Sequence, residues 1–313
     1  MLESYLNILV VFALVFTGYW LSVKKWFNNQ AIDLFSKLVL NLALPFNMFL
    51  NMTERFTKAE FLHLFTGMLL PMVSMLATFA VGYLYAKLTK VPKSRLGVFL
   101  TMFTASNTIF MGLPINLAIF GEVSVPYVLL YHICNTVFFW TIGIYLISGD
   151  SKDPTIDRVK MDFVGVMRLL LSPAMIGFIV GLVWLLLELP RFELLTKFAR
   201  HLSNLTTPLS MFVIGMIMFQ TGLRNLKMTK DTFGILLGRY VISPLIVILL
   251  SFVIQVPEMM LKVFIIQSAM PAQNTMLMLA RRYQADVEFT TTTQTLTLIV
   301  YLFIIPILIF LVI

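Results

Sequence analysis

The sequence predicts an all-α membrane protein of ten transmembrane helices, arranged as two inverted five-helix repeats with helices 4 and 9 broken. Of the 313 residues, 59% are hydrophobic and only 12% are charged, so lipid must be the solvent for most of the chain. The apolar residues form ten runs, each near the length of about 20 residues that spans a bilayer. Two polar motifs from the first half of the chain recur in the second half.

The ten runs are separated by short loops, which leave no room for a sizeable domain outside the membrane. The first run is preceded by Glu3 and no basic residue, unlike a cleaved signal peptide, so we expect it to be retained. The predicted spans 1 to 10 are Tyr5–Val23, Ile32–Met52, Leu64–Leu88, Leu96–Phe120, Val125–Ile147, Val164–Leu187, Phe198–Leu223, Phe233–Ile254, Met259–Leu279 and Phe289–Ile313.

Lys and Arg are distributed unevenly between the two sets of loops. If the N-terminus is extracellular, most of them fall in cytoplasmic loops, as the positive-inside rule requires. We therefore predict a multi-pass protein of the cytoplasmic membrane with both termini extracellular. The net charge of +8 arises from these scattered loop residues and not from a basic face with stacking aromatics. The expected partner is the lipid bilayer, and not nucleic acid.

Two motifs indicate an internal duplication. The pattern N-L-x-x-P-x-x-M-F in span 2, from Asn41, recurs in span 7 from Asn204, 163 residues later. The pattern A-x-N-T in span 4, from Ala105, recurs in span 9 from Ala272, 167 residues later. Because each unit has five spans, the second must enter the membrane from the opposite side, and such inverted repeats are typical of transporters. The predicted boundaries are residues 1–150 and 164–313 for the repeats, with a cytoplasmic linker at 151–163.

Span 4 carries Ser106, Asn107 and Thr108 near its middle, followed by the helix weakeners Gly112 and Pro114. A proline frees the carbonyl four residues earlier, and inside a bilayer that group needs a partner or a wet cavity. We therefore predict a broken helix. The end of a half-helix offers unpaired N–H donors and a partial positive charge, which suit a carboxylate, and Asn107 adds an amide donor.

Span 9 repeats this arrangement with Pro271, Gln273, Asn274 and Thr275. The alternative is that both motifs are proline kinks with side chains that bond neighbouring helices, as in many membrane bundles. Recurrence in corresponding spans favours a binding site. We predict that the substrate contacts Ser106, Asn107, Thr108, Gln273, Asn274 and Thr275.

Four further polar residues lie within predicted spans. His132 and Asn135 in span 5, and Gln294 in span 10, occupy corresponding spans and are candidates for supporting the site or coordinating an ion. For His132 alone we expect an interhelical hydrogen bond. Arg239 in span 8 is expected to extend toward the lipid headgroups, with attraction of an anion as the alternative.

Several classes of function lack their sequence features. Neither a phosphate-binding glycine loop nor a hydrolase or zinc motif occurs, so we expect neither an enzyme nor a cofactor. A channel would need a continuous polar stripe, and a sensor would need an appended signalling domain. The interiors of the predicted spans contain no clear Asp or Glu, so an obvious carboxylate proton carrier is lacking. Na⁺ and H⁺ both stay open as coupling ions.

The motifs resemble the auxin efflux carrier (AEC) family, and in particular its bacterial branch of malate and organic-acid permeases. The segment from Asn107 to Pro114, followed by Gly121-Glu122, is similar to the family pattern N-T-x-x-M-G-x-P…G-E. Residues of spans 9 and 10 are also similar to that family, namely Met270, Pro271, Ala280, Tyr283 and Pro306. The resemblance runs over essentially the whole chain.

This resemblance implies the fold of bile acid/sodium symporters and sodium/proton antiporters, with helices 4 and 9 crossing. It implies a dimerising scaffold of spans 1, 2, 6 and 7, a mobile transport core of the other spans, and an elevator mechanism. Asn107 would be the carboxylate-binding Asn, and Gly112, Pro114 and Pro271 would belong to the crossover. The long cytosolic loop and the span 3 acidic residue of plant members are absent, which favours malate or malonate over auxin. A sodium-coupled symporter of a bulkier amphipathic anion is the alternative.

Overall fold

The computed structural model describes residues 2–151, 173–190, 192–222, 226–273 and 275–312. Throughout these ranges the regular secondary structure is helical, and the only pairing between extended residues is one isolated bridge. The predicted linker after Ser151, the beginning of span 6 and Asn274 lie outside the described residues.

The helices follow the apolar runs of the sequence. Numbered in chain order, they are α1 Leu2–Val23, α2 Asn29–Leu38, α3 Leu44–Arg55, α4 Lys58–Phe65, α5 Leu69–Thr89, α6 Leu96–Thr104, α7 Leu113–Phe120, α8 Val125–Phe138, α9 Ile144–Gly149, α10 Pro173–Leu186, α11 Glu193–Ser203, α12 Thr206–Thr221, α13 Lys230–Leu237, α14 Ser243–Ser251, α15 Glu258–Ser268, α16 Thr275–Arg282 and α17 Val287–Val312. Single π-helical turns join α2 to α3, α8 to α9 and α13 to α14, so each of these pairs forms one long helix.

Within the described ranges, 6 helices are long and apolar enough to cross a membrane. They correspond to predicted spans 2, 3, 5, 7, 8 and 10, and run over Gln30–Glu54, Lys58–Thr89, Val125–Gly149, Glu193–Gln220, Lys230–Ser251 and Val287–Val312. The protein is therefore an all-helical, multi-span membrane protein, and ten spans remain a prediction. Predicted spans 4 and 9 are each divided into shorter helices.

The break in predicted span 4 lies earlier than the proline suggests. Helix α6 ends at Thr104, the chain is extended at Ala105 and not helical up to Asn107, and a π-helical turn then leads into α7. Pro114 lies in the first turn of α7, where its missing N–H costs little, so it does not break the helix. The break therefore lies beside Asn107, and Gly112 and Pro114 follow it in the chain.

The break in predicted span 9 lies where the sequence predicts it. Helix α15 ends at Ser268, the chain through Pro271 and Gln273 is not helical, and α16 begins at Thr275. Proline lacks an N–H and cannot continue the hydrogen-bond ladder of α15. Pro271 thus lies within the break, unlike Pro114.

Two pairs of helices outside the broken segments pack with their backbones almost in contact. A Cβ atom added to Gly18 of α1 would meet the backbone of Phe212 in α12. A Cβ atom added to Gly181 of α10 would likewise meet the backbone of Phe49 in α3. Small residues are the usual means by which membrane helices approach closely without a hydrophobic driving force between them.

We expect Gly215→Ala to destabilise the protein, because a Cβ at this position would fall on the carbonyl oxygen of Val15 in α1. Overpacking of this kind costs about 1–3 kcal/mol. The apparent melting temperature of the purified protein in detergent measures the effect. Gly149→Ala is the matched control, since nothing lies within 4 Å of its added Cβ. Equal melting temperatures for the two variants would contradict the close packing of α1 and α12.

One end of the bundle is held by charged residues. Arg95 forms an ion pair with the fully buried Asp231 at 2.6 Å and a longer one with Asp286 at 3.7 Å. The Asp150 carboxylate accepts hydrogen bonds from the backbone N–H groups of Gly97 and Val98, at 2.8 and 2.7 Å, and so caps the start of α6. These contacts join α6 to α9, α13 and the loop before α17.

Candidate crossover site

The two broken segments, residues 105–107 and 269–273, meet in the interior of the protein, and together they are called the crossover below. Ser106 and Ala272 form an antiparallel bridge, and the Asn107 N–H donates to the carbonyl of Pro271 at 2.9 Å. In a helical membrane protein, extended backbone is tolerated only where it is buried in protein or lines a cavity. Ser106, Asn107 and Ala272 are at most 1% exposed, so the protein itself shields this backbone.

Amide side chains from neighbouring helices hold the backbone of both segments. Asn135 of α8 accepts from the Ser106 N–H at 2.8 Å and donates to the Ser106 carbonyl at 2.9 Å. Gln294 of α17 donates to the Ala272 carbonyl at 2.6 Å. The sequence predicts both residues as supports of the site, and the structure places each against one broken segment.

We expect Asn135→Ala to lower the free energy of unfolding by about 2–4 kcal/mol, because it leaves the buried N–H and carbonyl of Ser106 without their partner. Denaturation in mixed micelles measures the change. Thr89→Ala is a suitable control, because the Thr89 hydroxyl bonds only the Tyr85 carbonyl of its own helix. An unfolding free energy equal to that of wild type would show that Asn135 does not hold the break.

Arg239 does not extend to the headgroups, and that expectation is wrong. Its side chain is 0% exposed, and its guanidinium donates to the hydroxyl of Ser106 at 2.8 Å and of Ser243 at 3.2 Å. It also donates to the carbonyl of Ser268, the last residue of α15, at 3.0 Å. Arg239 lies on the bundle side of its helix, where the two broken segments supply oxygen acceptors that lipid lacks.

The charge of Arg239 has no carboxylate partner within the part of the chain that the structure describes. The ion pairs found there involve other basic residues, and the contacts of the guanidinium are to neutral oxygens. The carbonyl of Ser268 ends a helix and carries partial negative charge, which offsets only part of the guanidinium charge. An unpaired ion out of water costs several kcal/mol. The crossover is therefore electropositive.

Several buried polar atoms of the predicted site lack a hydrogen-bond partner within the described residues. They are the amide nitrogen Nδ2 of Asn107, Nε of Arg239, Oε1 of Gln273 and the hydroxyl of Thr275. Most buried polar groups in proteins are paired, so such a cluster calls for a ligand or water. Asn107 and Arg239 offer N–H donors, which are the groups that a carboxylate accepts from.

Thr108 and His132 form the interhelical hydrogen bond expected for the histidine, at 2.7 Å between the hydroxyl and Nδ1. Gly112 lies close to α15, since a Cβ there would collide with the side-chain amide of Gln267. Gln267 also donates to the Thr108 carbonyl at 3.3 Å. The sequence did not single out Gln267, Ser243 or Ser268, although all three are polar residues in apolar runs.

An apolar cavity of about 350 Å³ lies beside the crossover. Met111 lines it from the π-helical turn after the break, Val15 and Tyr19 from α1, and Ile214 from α12. Leu298 of α17 also contributes. The crossover thus has side-chain donors, from Asn107 and Arg239, and apolar surface next to it.

Comparisons with known proteins identify the family of the chain. A family model described as "Membrane transport protein" (Mem_trans) matches residues 4–309. A protein of Methanocaldococcus jannaschii, named as an uncharacterized transporter, is 25% identical over 310 residues, or 93% of this chain and 95% of its own length. Another from Methanothermobacter thermautotrophicus, named likewise, is 23% identical over 288 residues, or 90% and 89%. The chain therefore belongs to the Mem_trans family of membrane transporters, the auxin efflux carrier family.

Proposed function

We propose that this protein is a secondary transporter that moves a small organic anion, such as malate or malonate, across the cytoplasmic membrane by alternating access. The observation that carries the proposal is Arg239, a fully buried cation bonded to the crossover through Ser106 without a described carboxylate partner. An incoming carboxylate would supply the missing charge. Asn107 would supply a further donor through its unpaired amide nitrogen.

An inverted repeat is a common structural basis of alternating access, and the packing supports one here. Gly18 and Gly181 are 163 residues apart, as are Phe49 and Phe212. The close contact of Gly18 with Phe212 therefore has a counterpart in that of Gly181 with Phe49. This spacing equals that of the motifs in spans 2 and 7. We propose that ten spans form two inverted repeats, residues 1–150 and 164–313.

The same contacts support a division into a scaffold and a transport core that moves relative to it. Predicted spans 1, 2, 6 and 7 would form the scaffold, because α1 packs on α12 and α3 packs on α10. The other spans would form the transport core, whose charged end is held by Arg95, Asp150 and Asp231. We propose that the core slides along a dimeric scaffold as an elevator, with both termini extracellular.

The apolar cavity beside Met111 favours one other candidate. Its lining would suit the hydrocarbon part of a bulkier amphipathic anion, and such an anion could be carried together with Na⁺. The crossover donors would bind the anionic group in either case. The two candidates therefore differ in substrate and coupling ion, and not in the site.

Uptake of labelled malate and malonate into proteoliposomes tests the proposal. We expect saturable uptake, and comparison of Na⁺ and pH gradients identifies the coupling ion. Sodium-dependent uptake of an anionic steroid, without uptake of dicarboxylates, would favour the other candidate. Flux that never saturates would indicate a channel and contradict alternating access.

A further inference from the structure

A second, polar cavity of about 520 Å³ lies away from the crossover, at the end of the bundle that carries Glu54 and Arg200. Its volume falls within the usual range of ligand pockets, about 300–1,000 Å³. Helices α3 and α11 form its polar wall, with Asn47, Asn51 and Arg200 among the lining residues. By the predicted orientation this end faces the extracellular side.

The polar wall presents more donors than the protein itself uses. Asn51 donates to Asn47 at 2.8 Å, and Asn47 donates to the hydroxyl of Ser203 at 2.8 Å. The Ser203 oxygen is the acceptor at the end of this series of hydrogen bonds. The hydroxyl hydrogen of Ser203 can therefore donate to a ligand, and no described residue accepts it. Hydrogen-bond chains that end on a donor are suited to an anionic acceptor.

Arg200 adds a cation that is only partly paired. One guanidinium nitrogen, Nη2, contacts Oε1 of Glu54 at 2.7 Å, and the side chain is 60% exposed. A guanidinium has five N–H donors and binds carboxylates best through two of them, so a second carboxylate can share Arg200. Repulsion from Glu54 would keep that binding weak.

The remaining wall of the cavity is apolar and leads to the crossover. Leu113 and Leu117 of α7 line it, and their i, i+4 spacing places them on one helix face. Leu113 directly follows the π-helical turn that begins at Thr108, so this face runs from the cavity to the crossover. A ligand with a carboxylate and a short hydrocarbon part matches both walls.

We propose that this cavity, the outer cavity, is a second and weaker binding site for a small organic anion, in which Arg200 and Ser203 bind a carboxylate on its way to or from the crossover. The ligand class rests on the proposed function. The site itself rests on the outer cavity, which shares no lining residue with the crossover donors.

Cysteine protection tests this proposal. The chain has one cysteine, the buried Cys134, so Thr207→Cys in a Cys134→Ser background places a single accessible thiol in the wall of the outer cavity. We expect a membrane-impermeant maleimide to label it from outside intact cells, and L-malate to slow labelling several-fold. The neutral diamide of malate should have no effect.

Two further variants separate the outer cavity from the crossover. Protection should persist in Arg239→Gln, which disables the crossover, and disappear in Arg200→Gln. Lys197→Gln is the matched control, because Lys197 is an exposed residue of the same helix, paired with Glu193. Melting temperatures verify that each variant is folded.

The outcomes distinguish this proposal from the proposed function. Protection lost in Arg239→Gln but kept in Arg200→Gln would show that malate acts only at the crossover, and would overturn the second site. Failure of the maleimide to label the thiol from outside would also overturn the second site. So would the absence of protection by malate in a protein that transports malate. Neither result would contradict the proposed transport function. Protection without any malate transport would support the cavity and contradict the proposed function.

Discussion

Replacing Arg239 with Gln is expected to abolish saturable malate uptake, with an affinity loss of roughly 100-fold or more. The substitution removes a positive charge bonded to the crossover, the only one among the described residues, and its hydrogen bonds to Ser106 and Ser268. A hydrogen bond to a charged group contributes about 1.5–3 kcal/mol, and each 1.4 kcal/mol is about tenfold in affinity. Proteoliposome uptake and malate binding to the purified protein measure the effect.

Two controls distinguish anion binding from a structural role of Arg239. Arg239→Lys keeps the charge and should retain weakened, saturable uptake. Lys37→Gln removes a basic residue of another predicted span, and should leave uptake unchanged. If folded Arg239→Gln protein bound malate as tightly as wild type, the guanidinium would only brace the broken helices.

Asn107→Ala is expected to abolish saturable uptake while leaving the protein folded and inserted. The Asn107 amide nitrogen has no hydrogen-bond partner among the described residues, so its loss removes a donor without breaking an internal contact. We expect the free energy of unfolding to change by less than about 1 kcal/mol, since no buried partner is left unsatisfied. Uptake kinetics and melting temperature are measured on the same preparations.

Asn107→Asp serves as a second variant of similar size. It replaces the amide donor with a charged acceptor, so it should also abolish uptake of a dianion, through repulsion. Wild-type affinity for malate in Asn107→Ala would refute the assignment of this residue to the site.

The break in the ninth predicted span could be predicted from the sequence, and the exact position of the break in the fourth could not. Pro271 lacks a backbone donor in the middle of an apolar run, and this local effect can be recognised from that segment alone. Pro114 has the same chemistry but lies in the first turn of α7, where it is tolerated. The bridge between Ser106 and Ala272 sets the break, and it joins residues far apart in the chain.

The position of Arg239 shows a second limit of prediction from the sequence. Its place in an apolar run indicates membrane depth but not whether the side chain faces lipid or the bundle. Ser243 could have indicated the direction of the Arg239 side chain. It lies four residues later on the same helix face and marks that face as polar. Gln267 left no comparable signal, because its contact with Gly112 depends on how α15 packs against the turn after the break.

The experimental structure of the protein with bound malate, determined by electron cryomicroscopy, tests the central claim most directly. We expect density for a carboxylate within hydrogen-bonding distance of the Asn107 amide nitrogen and beside the Arg239 guanidinium. Malate bound only elsewhere, with predicted spans 4 and 9 continuously helical and facing lipid, would contradict the account.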